Sequence, residues 1–455
     1  MSAHRVLVLN VVGLTPALLR SGSMPRLEAC AGQRLLRPLR PDLPAVTCSV
    51  QASMLTGARP SQHGAVANGW YFRDLAEVWL WRQSAALLQV PTLFERWRAA
   101  HPGSLTAQVF WWWNLPSRAD ISVTPRPTYY ADGRKGPDIH AHPAALRTRL
   151  RQRLGEFPLF QFWGPGADIH STRWIADAAL DILQEERPGL TLVYLPHLDY
   201  DLQRFGPTHP RALAAAAAVD AEAGRLLDHA HAEAIETVVV SEYGITPARG
   251  ALFPNRALRR AGLLAVHAAR NGALLDPGCS RAFAVCDHQC AHVYVAGAAD
   301  IPRVRSLLED LDGVERVFDR SAYASIGLDH PRSGELFAVA ARERWFAYPY
   351  WDGEDVEPDF ARTVDIHRKP GYDPCELFLD PRIPFLRPRL ALKLLGKKLG
   401  FRTLMNVIPL DTDLVRGTHG RLPDSPEEGP VWVGSPELLP RADGVTAANA
   451  LSRLA

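Results

Sequence analysis

The stretch PAVTCSVQASMLTGARPSQHG, residues 44–64, carries the residue best placed for chemistry, Thr47. A proline-bounded loop delivers its hydroxyl to a segment, Cys48 to Leu55, that reads as a helix opening. Free N–H groups at such an opening favour an incoming phosphate oxygen, so a hydroxyl there is placed to attack phosphorus. Thr56-Gly57 ends the segment, and Ser61 to Gly64 reads as a turn. Two carboxylates, Asp199 and Glu242, fall just after the apolar runs 190–196 and 236–241, where ligands gather in open α/β sheets. His419 sits in a loop between Gly417 and Gly420, which allow close backbone approach. A threonine hydroxyl is a weak nucleophile at neutral pH. It needs a neighbouring base or a bound cation before it can attack.

In the order of these motifs the chain resembles the nucleotide pyrophosphatase/phosphodiesterase branch of the alkaline phosphatase superfamily, with its phosphonoacetate hydrolase relatives. RVLVLNVVGL at 5–14 sits where that family starts its sheet, and the loop and helix at 44–57 end in its threonine-glycine pair. LPHLDYDLQRFGP at 195–207 parallels its Asp and Gly-Pro, and GTHG at 417–420 parallels its closing His-Gly. The resemblance spans nearly the whole chain. It implies an alkaline phosphatase-like α/β fold: a mostly parallel central sheet, helices on both faces and an inserted cap. It also implies a metal-dependent hydrolase of phosphodiester, pyrophosphate or phosphonate bonds, in which Thr47 becomes a covalent phospho-threonine. The implied cofactor is a divalent metal, zinc or else manganese, and the implied partner a small phosphorylated substrate.

The departures from the family pattern are as informative. Alignment on Gly13 puts Val12 where the family's first metal-binding Asp belongs, although Asn10 points to the same side of the strand. Gln203 stands for a His, Glu242 for an Asp and Tyr243 for a His. Asp199, Glu242 and His419 are then the expected ligands of one strong site, with Asn10 and Gln203 as weaker ones; carboxylate and imidazole suit zinc or manganese. Tyr243 is expected to donate a hydrogen bond to a phosphate oxygen. His197 and Asp201 are alternatives to Asp199. Two readings stay open: an active hydrolase with an altered metal set, or a degenerate fold that binds a phosphorylated ligand without turnover.

Short apolar runs at 5–12, 106–112, 190–196 and 236–241 read as strands, and 87–100, 142–154, 172–186, 211–230, 255–269 and 302–311 as helices. That alternation predicts a parallel sheet covered on both faces. Residues 68–170, rich in aromatics, Pro and Gly, read partly as sheet and partly as a cap over the site, with Trp111, Trp112 and Trp113 as packing residues. Arg73, Arg134 and Lys135 are candidates for phosphate contacts. TVDIHRKPGYDP at 363–374 gathers Asp365, His367, Arg368, Lys369 and Asp373 into a second candidate cluster, in which His367 is a substrate-binding candidate. Cys286-Asp287-His288-Gln289-Cys290-Ala291-His292 has metal-like composition but reads as entry into a strand. The expected domain runs from 1 to 424, with 425–455 as a loose Pro-rich extension.

At 455 residues, 47% hydrophobic and 22% charged, the chain has the composition of a large globular enzyme. A net charge of +2 argues against a dedicated nucleic-acid binder. Six scattered cysteines suit reduced thiols, and the expected location is cytoplasmic because no secretory pattern precedes the first strand. Segment 382–402 sets leucines at helical spacing among basic residues, which suits either a packed amphipathic helix or contact with an anionic membrane surface.

Overall fold

A computed structural model of the chain describes residues 5–131, 135–353, 355–401, 403–441 and 444–454. Its frame is a nine-stranded sheet in the order 445–446, 35–40, 431–434, 236–240, 6–11, 190–195, 106–109, 121–125, 139–142. The central strands Val6–Val11 and Leu190–Leu195 are buried at every residue, so both faces of the sheet are covered. That is why they read as unbroken apolar runs rather than alternating ones. Val6–Val11 pairs in parallel with Leu190–Leu195 on one side and Glu236–Val240 on the other. Asn10 is in register with both Tyr194 and Val240, which brings the ends carrying Asn10, Asp199 and Glu242 to one edge. The helices Ile169–Glu185 and Pro210–Ala232 pack on the sheet and on each other.

A second, four-stranded antiparallel sheet is built from Ala282–Asp287, Cys290–Val295, Leu336–Ala340 and Val314–Asp319. The hairpin Gly69–Phe72/Glu77–Leu80 docks on it through Tyr71, whose ring meets Phe283 edge-on at 5.1 Å. Of the expected cap at 68–170, residues 106–109, 121–125 and 139–142 belong to the main sheet.

Three expectations need correction. The strand expected at 106–112 stops at Val109, because Phe110 and Trp113 take left-handed backbone with φ of 60° and 66°. Trp111, Trp112 and Trp113 are therefore buried in the turn that follows, not on alternate faces of a strand. The helix expected at 255–269 ends at Arg260; Gly262 turns the chain at φ 71°, and Val266–Ala269 is a strand. The tail from 425 is no loose extension, since Val431–Gly434 and Val445–Thr446 add two strands to the main sheet. The six cysteines are free. Cys286 to His292 forms a β-hairpin, as its strand reading predicted. Among the described residues no helix is long and apolar enough to cross a membrane.

Candidate functional site

Thr47 begins the helix Thr47–Thr56, which is buried at all ten residues and closed by Gly57 in the left-handed conformation, φ 70°. The preceding Val46 is extended, so the chain enters the helix straight from the Pro44 loop. Thr47 itself keeps 5% of its surface. The opening is not bare, however. Asn68 Oδ1 accepts the Cys48 N–H at 2.9 Å, so one of the donors expected to be free for a phosphate is already taken. Asn68 is held in turn by Asp287, which accepts its backbone N–H at 2.8 Å and its side-chain amide at 2.9 Å.

The Thr47 hydroxyl lies 3.1 Å from Tyr243 OH, and Tyr243 OH donates to Asp199 Oδ1 at 3.2 Å. A phenol has one proton to give, so Thr47 is the donor to Tyr243 and the hydrogen bonds run Thr47 to Tyr243 to Asp199. Gln203 donates its amide to Asp199 Oδ2 at 2.7 Å and accepts from Tyr372 OH at 2.8 Å. On the other side of Thr47, Glu242 Oε1 accepts from the side-chain amides of Asn10 and Gln51. Gln51 is four residues after Thr47 and so shares its helix face; its Oε1 also accepts the Trp112 N–H at 2.6 Å.

His419 stacks on Tyr243 with ring centroids 3.5 Å apart and planes 6° apart, and its other face meets His288 at 3.7 Å. His288 sits in left-handed backbone, φ 57°, at the hairpin turn, which turns its ring between His419 and Tyr372. Gly420 makes this approach possible: a Cβ there would lie 2.9 Å from the Gln289 nitrogen. His419 Nδ1 pairs with the Ala45 carbonyl at 2.8 Å, leaving Nε2 as a buried acceptor without a partner. Glu242 Oε2 and Asn10 Oδ1 are likewise buried and unpartnered. An aromatic wall lines the cluster: Trp81 meets Trp112 at 5.6 Å and Tyr372 at 6.0 Å, and Trp163 meets Tyr372 at 5.9 Å.

Burial dominates the electrostatics. It pushes Asp199 up to about 7 against the hydrogen bonds from Gln203 and Tyr243. It pushes Glu242 up to about 8 against the amides of Gln51 and Asn10, and Asp287 up to about 7. His419 is held down to about 3 by the same burial, and Tyr243 is raised well above the ordinary phenol value. Carboxyls that share a dry site with no cation keep their protons to unusually high pH.

Other expected site residues lie elsewhere. His367 lines a cavity of about 300 Å³ with Trp79, Tyr350, Phe360 and Arg368, a cavity that none of the Thr47 cluster lines. Burial, Arg82 and Lys135 all lower His367, so Lys135 stands near it and not beside Thr47; the Lys135 ammonium lies 5.8 Å from the Tyr129 ring. Arg73 pairs with Glu335 at 2.6 Å, Asp201 pairs with Arg204 at 2.9 Å, and Arg134 falls outside the described residues. Lys369 and Asp373 form a separate buried ion cluster with Glu376, with contacts of 2.7 and 2.8 Å. Sequence reasoning missed Gln51, Asn68 and Tyr372, and named Asp287 and His288 only as part of the Cys286–His292 run. Of these only Gln51, by its spacing from Thr47, carried a local signal.

A sequence model of the type I phosphodiesterase / nucleotide pyrophosphatase family matches residues 6–373. An uncharacterised pyrophosphatase/phosphodiesterase of Schizosaccharomyces pombe is 24% identical over 251 residues, 53% of this chain; the chain spans 45% of that relative's length. The fold is similar to phosphonoacetate hydrolase from Sinorhizobium meliloti in complex with phosphonoformate, at a TM-score of 0.61 and 14% identity, covering 100% of this chain and 96% of that one. It is also similar to murine ectonucleotide pyrophosphatase / phosphodiesterase 5, at a TM-score of 0.56 and 12% identity, covering 99% and 94%. The inactive form of the murine protein in complex with AMP matches at 0.57. Divalent-metal dependence is general in this family.

The donors of this chain do not fit a two-cation centre. Gln203 turns its N–H towards Asp199, Tyr243 is a neutral phenol bonded to Thr47 and Asp199, and Val12 has no donor atom. Among the described residues no group of three or more His, Cys, Asp or Glu is placed to hold a cation, so the expected set of Asp199, Glu242 and His419 is not assembled as one metal site. Asn10 and Gln203, expected as weak ligands, are spent on Glu242 and Asp199. With its alkaline phosphatase-like sheet, its threonine at the helix start and a sequence match over most of its length, the chain belongs to the type I phosphodiesterase / nucleotide pyrophosphatase family of hydrolases.

Proposed function

We propose that the chain hydrolyses a phosphodiester, pyrophosphate or phosphonate bond of a small phosphorylated substrate, with Thr47 as the attacking group. The observation that carries this reading is the hydrogen-bonded series Thr47, Tyr243, Asp199 at the carboxyl edge of the sheet. In the first step the Thr47 Oγ–P bond forms while the bond from phosphorus to the leaving group breaks. The Thr47 proton moves to Tyr243 oxygen as the Tyr243 proton moves to ionised Asp199, and that proton later leaves with the departing group. Water then breaks the Thr47–phosphate bond and restores the hydroxyl. Gln203 and Tyr372 fix Asp199 in place, the unpartnered acceptors Asn10 Oδ1 and His419 Nε2 receive hydrogens of the substrate or of that water, and Glu242, which keeps its proton to about pH 8, donates from Oε2. His367 and Lys135 would meet a more distant part of the substrate. Because Asp199 titrates near 7, the ionised acceptor, and with it the rate, should grow as pH rises through that value.

A specific observation favours a second reading, a binder without turnover: the cluster is nearly closed, and Asn10, Gln203 and Tyr243 are engaged in hydrogen bonds within it. One experiment separates the two. A panel of nucleotides, sugar phosphates, phosphonates and a nitrophenyl phosphodiester is scored for product and for a rise in melting temperature. Product formation that vanishes in Thr47→Ala supports hydrolysis at this site. Stabilisation without product supports the binder, since a ligand that prefers the folded state raises its stability by mass action.

A further inference from the structure

The helix Leu386–Lys398 leaves unpartnered a face that the hydrolytic site does not use. Leu390 packs towards the body, against the apolar cluster that holds Trp345, Val407 and Ile408. Leu392, Leu395 and Leu399, spaced by three and four, share the opposite side and lie open, at 68%, 52% and 66%. Phe385 just before the helix and Phe401 just after it are open too, at 81% and 68%. A single exposed leucine is ordinary, but a row of three bracketed by two exposed phenylalanines is the kind of patch that marks a contact surface.

Charge decides what that surface fits. Residues 381–410 hold seven Lys or Arg and no Asp or Glu, in a chain whose whole net charge is only +2. On the helix, Arg387 and Lys398 lie to one side of the leucine row and Arg389 and Lys393 to the other, by their spacing at 3.6 residues per turn. An apolar row flanked on both sides by bases matches a helix lying in the interface of an anionic bilayer, with leucines towards the acyl chains and bases at the headgroups. A second copy of this chain fits badly, because pairing two such faces would press like charges together.

We propose that the face carrying Leu392, Leu395 and Leu399 docks the protein on an anionic lipid surface, parallel to the membrane and without spanning it. The test uses the full chain, sedimented with vesicles of phosphatidylcholine alone or mixed with phosphatidylglycerol. The expected result is co-sedimentation with the anionic vesicles only, weakened about tenfold when salt screens the charges. A variant carrying Leu392→Asp, Leu395→Asp and Leu399→Asp should lose it while keeping its melting temperature and hydrolytic rate, since those side chains face water. Arg387→Glu with Lys398→Glu should also lose it, which guards against an effect of the leucine changes on folding. Equal binding to both vesicle types, no binding to either, or anionic binding untouched by the leucine changes would each overturn the proposal. So would a lipid-free dimer that the leucine changes dissolve, or retention on polyglutamate as strong as on the anionic vesicles, which would point instead to a second copy or to an acidic protein partner.

Discussion

Around Lys369 two buried acids share one internal cation, whereas around Thr47 the buried acids Asp199 and Glu242 have only amides and hydroxyls beside them. In the first cluster the Lys369 ammonium touches Asp373 at 2.7 Å and Glu376 at 2.8 Å, and Glu376 also accepts from the Trp163 indole at 2.6 Å and the Asp365 N–H at 2.9 Å. Although burial opposes it, the two acids hold Lys369 above its ordinary value. The ammonium offsets part of the negative charge there, and the result is a clip that ties Trp163 and Asp365 to one residue. In the second cluster no ammonium or guanidinium pairs with the acids, and burial lets them keep protons to pH 7 or 8. An ion-paired cluster is built to stay as it is; one without an ion pair is built to exchange protons.

The sharpest way to test that contrast is to remove one group from each. Thr47→Ala should lower hydrolysis of a nitrophenyl phosphodiester by about a thousandfold or more while leaving the melting temperature nearly unchanged, because it deletes the attacking oxygen and little else. Lys369→Met should do the reverse. It strands two carboxylates in the dry interior, a loss of about 3–5 kcal/mol measured by urea unfolding. If Lys369→Met were benign, the two clusters would not differ in the way their contacts imply.

A smaller effect follows from pH. Asp199, Asp287 and Glu242 are raised above the value of about 4 that carboxyls have in an unfolded chain. Their contribution to stability is whole below that value and is lost as pH climbs through 7 to 8, because ionisation there favours the unfolded chain. The melting temperature should therefore fall between about pH 4 and 8 on the order of several degrees and level off above, and Asp199→Asn combined with Glu242→Gln should flatten the slope. Lys369 keeps its proton across that range and should contribute no slope. The smallest effect expected is that of a chelator. EDTA should move the melting temperature by less than about 1 °C, with metal content well under one ion per chain. Val12→Asp, Gln203→His and Tyr243→His together should raise the metal content. A tight ion in the natural chain, lost to EDTA with a large drop in melting temperature, would contradict the account of the ligand positions.

Much of the frame was legible because it is local. Val6–Val11, Leu190–Leu195 and Glu236–Val240 are short apolar runs that a parallel sheet requires, and they set Asn10 and Glu242 at one edge by register alone. Thr47 was legible from its proline loop and Gly57. The partners of the site were not, because they arrive from distant segments: Asn68 from a loop before a hairpin, Asp287 and His288 from the second sheet, Tyr372 from the segment after it. Nor did residue type reveal that Tyr243 would bridge Thr47 and Asp199; that depends on where a phenol ends once its ring is stacked on His419. Phe110 and His288 ended or turned their strands in left-handed backbone that tertiary packing imposes and no propensity predicts.

The near closure of Thr47, at 5% exposure behind the Trp81, Trp163 and Tyr372 wall, bears on how a substrate binds. For a substrate to reach the Thr47 hydroxyl, side chains packed around it must shift, and the fraction of molecules in which they have done so scales the apparent affinity. Smaller side chains at Trp81 and Trp163 should therefore lower the KM for a phosphodiester substrate.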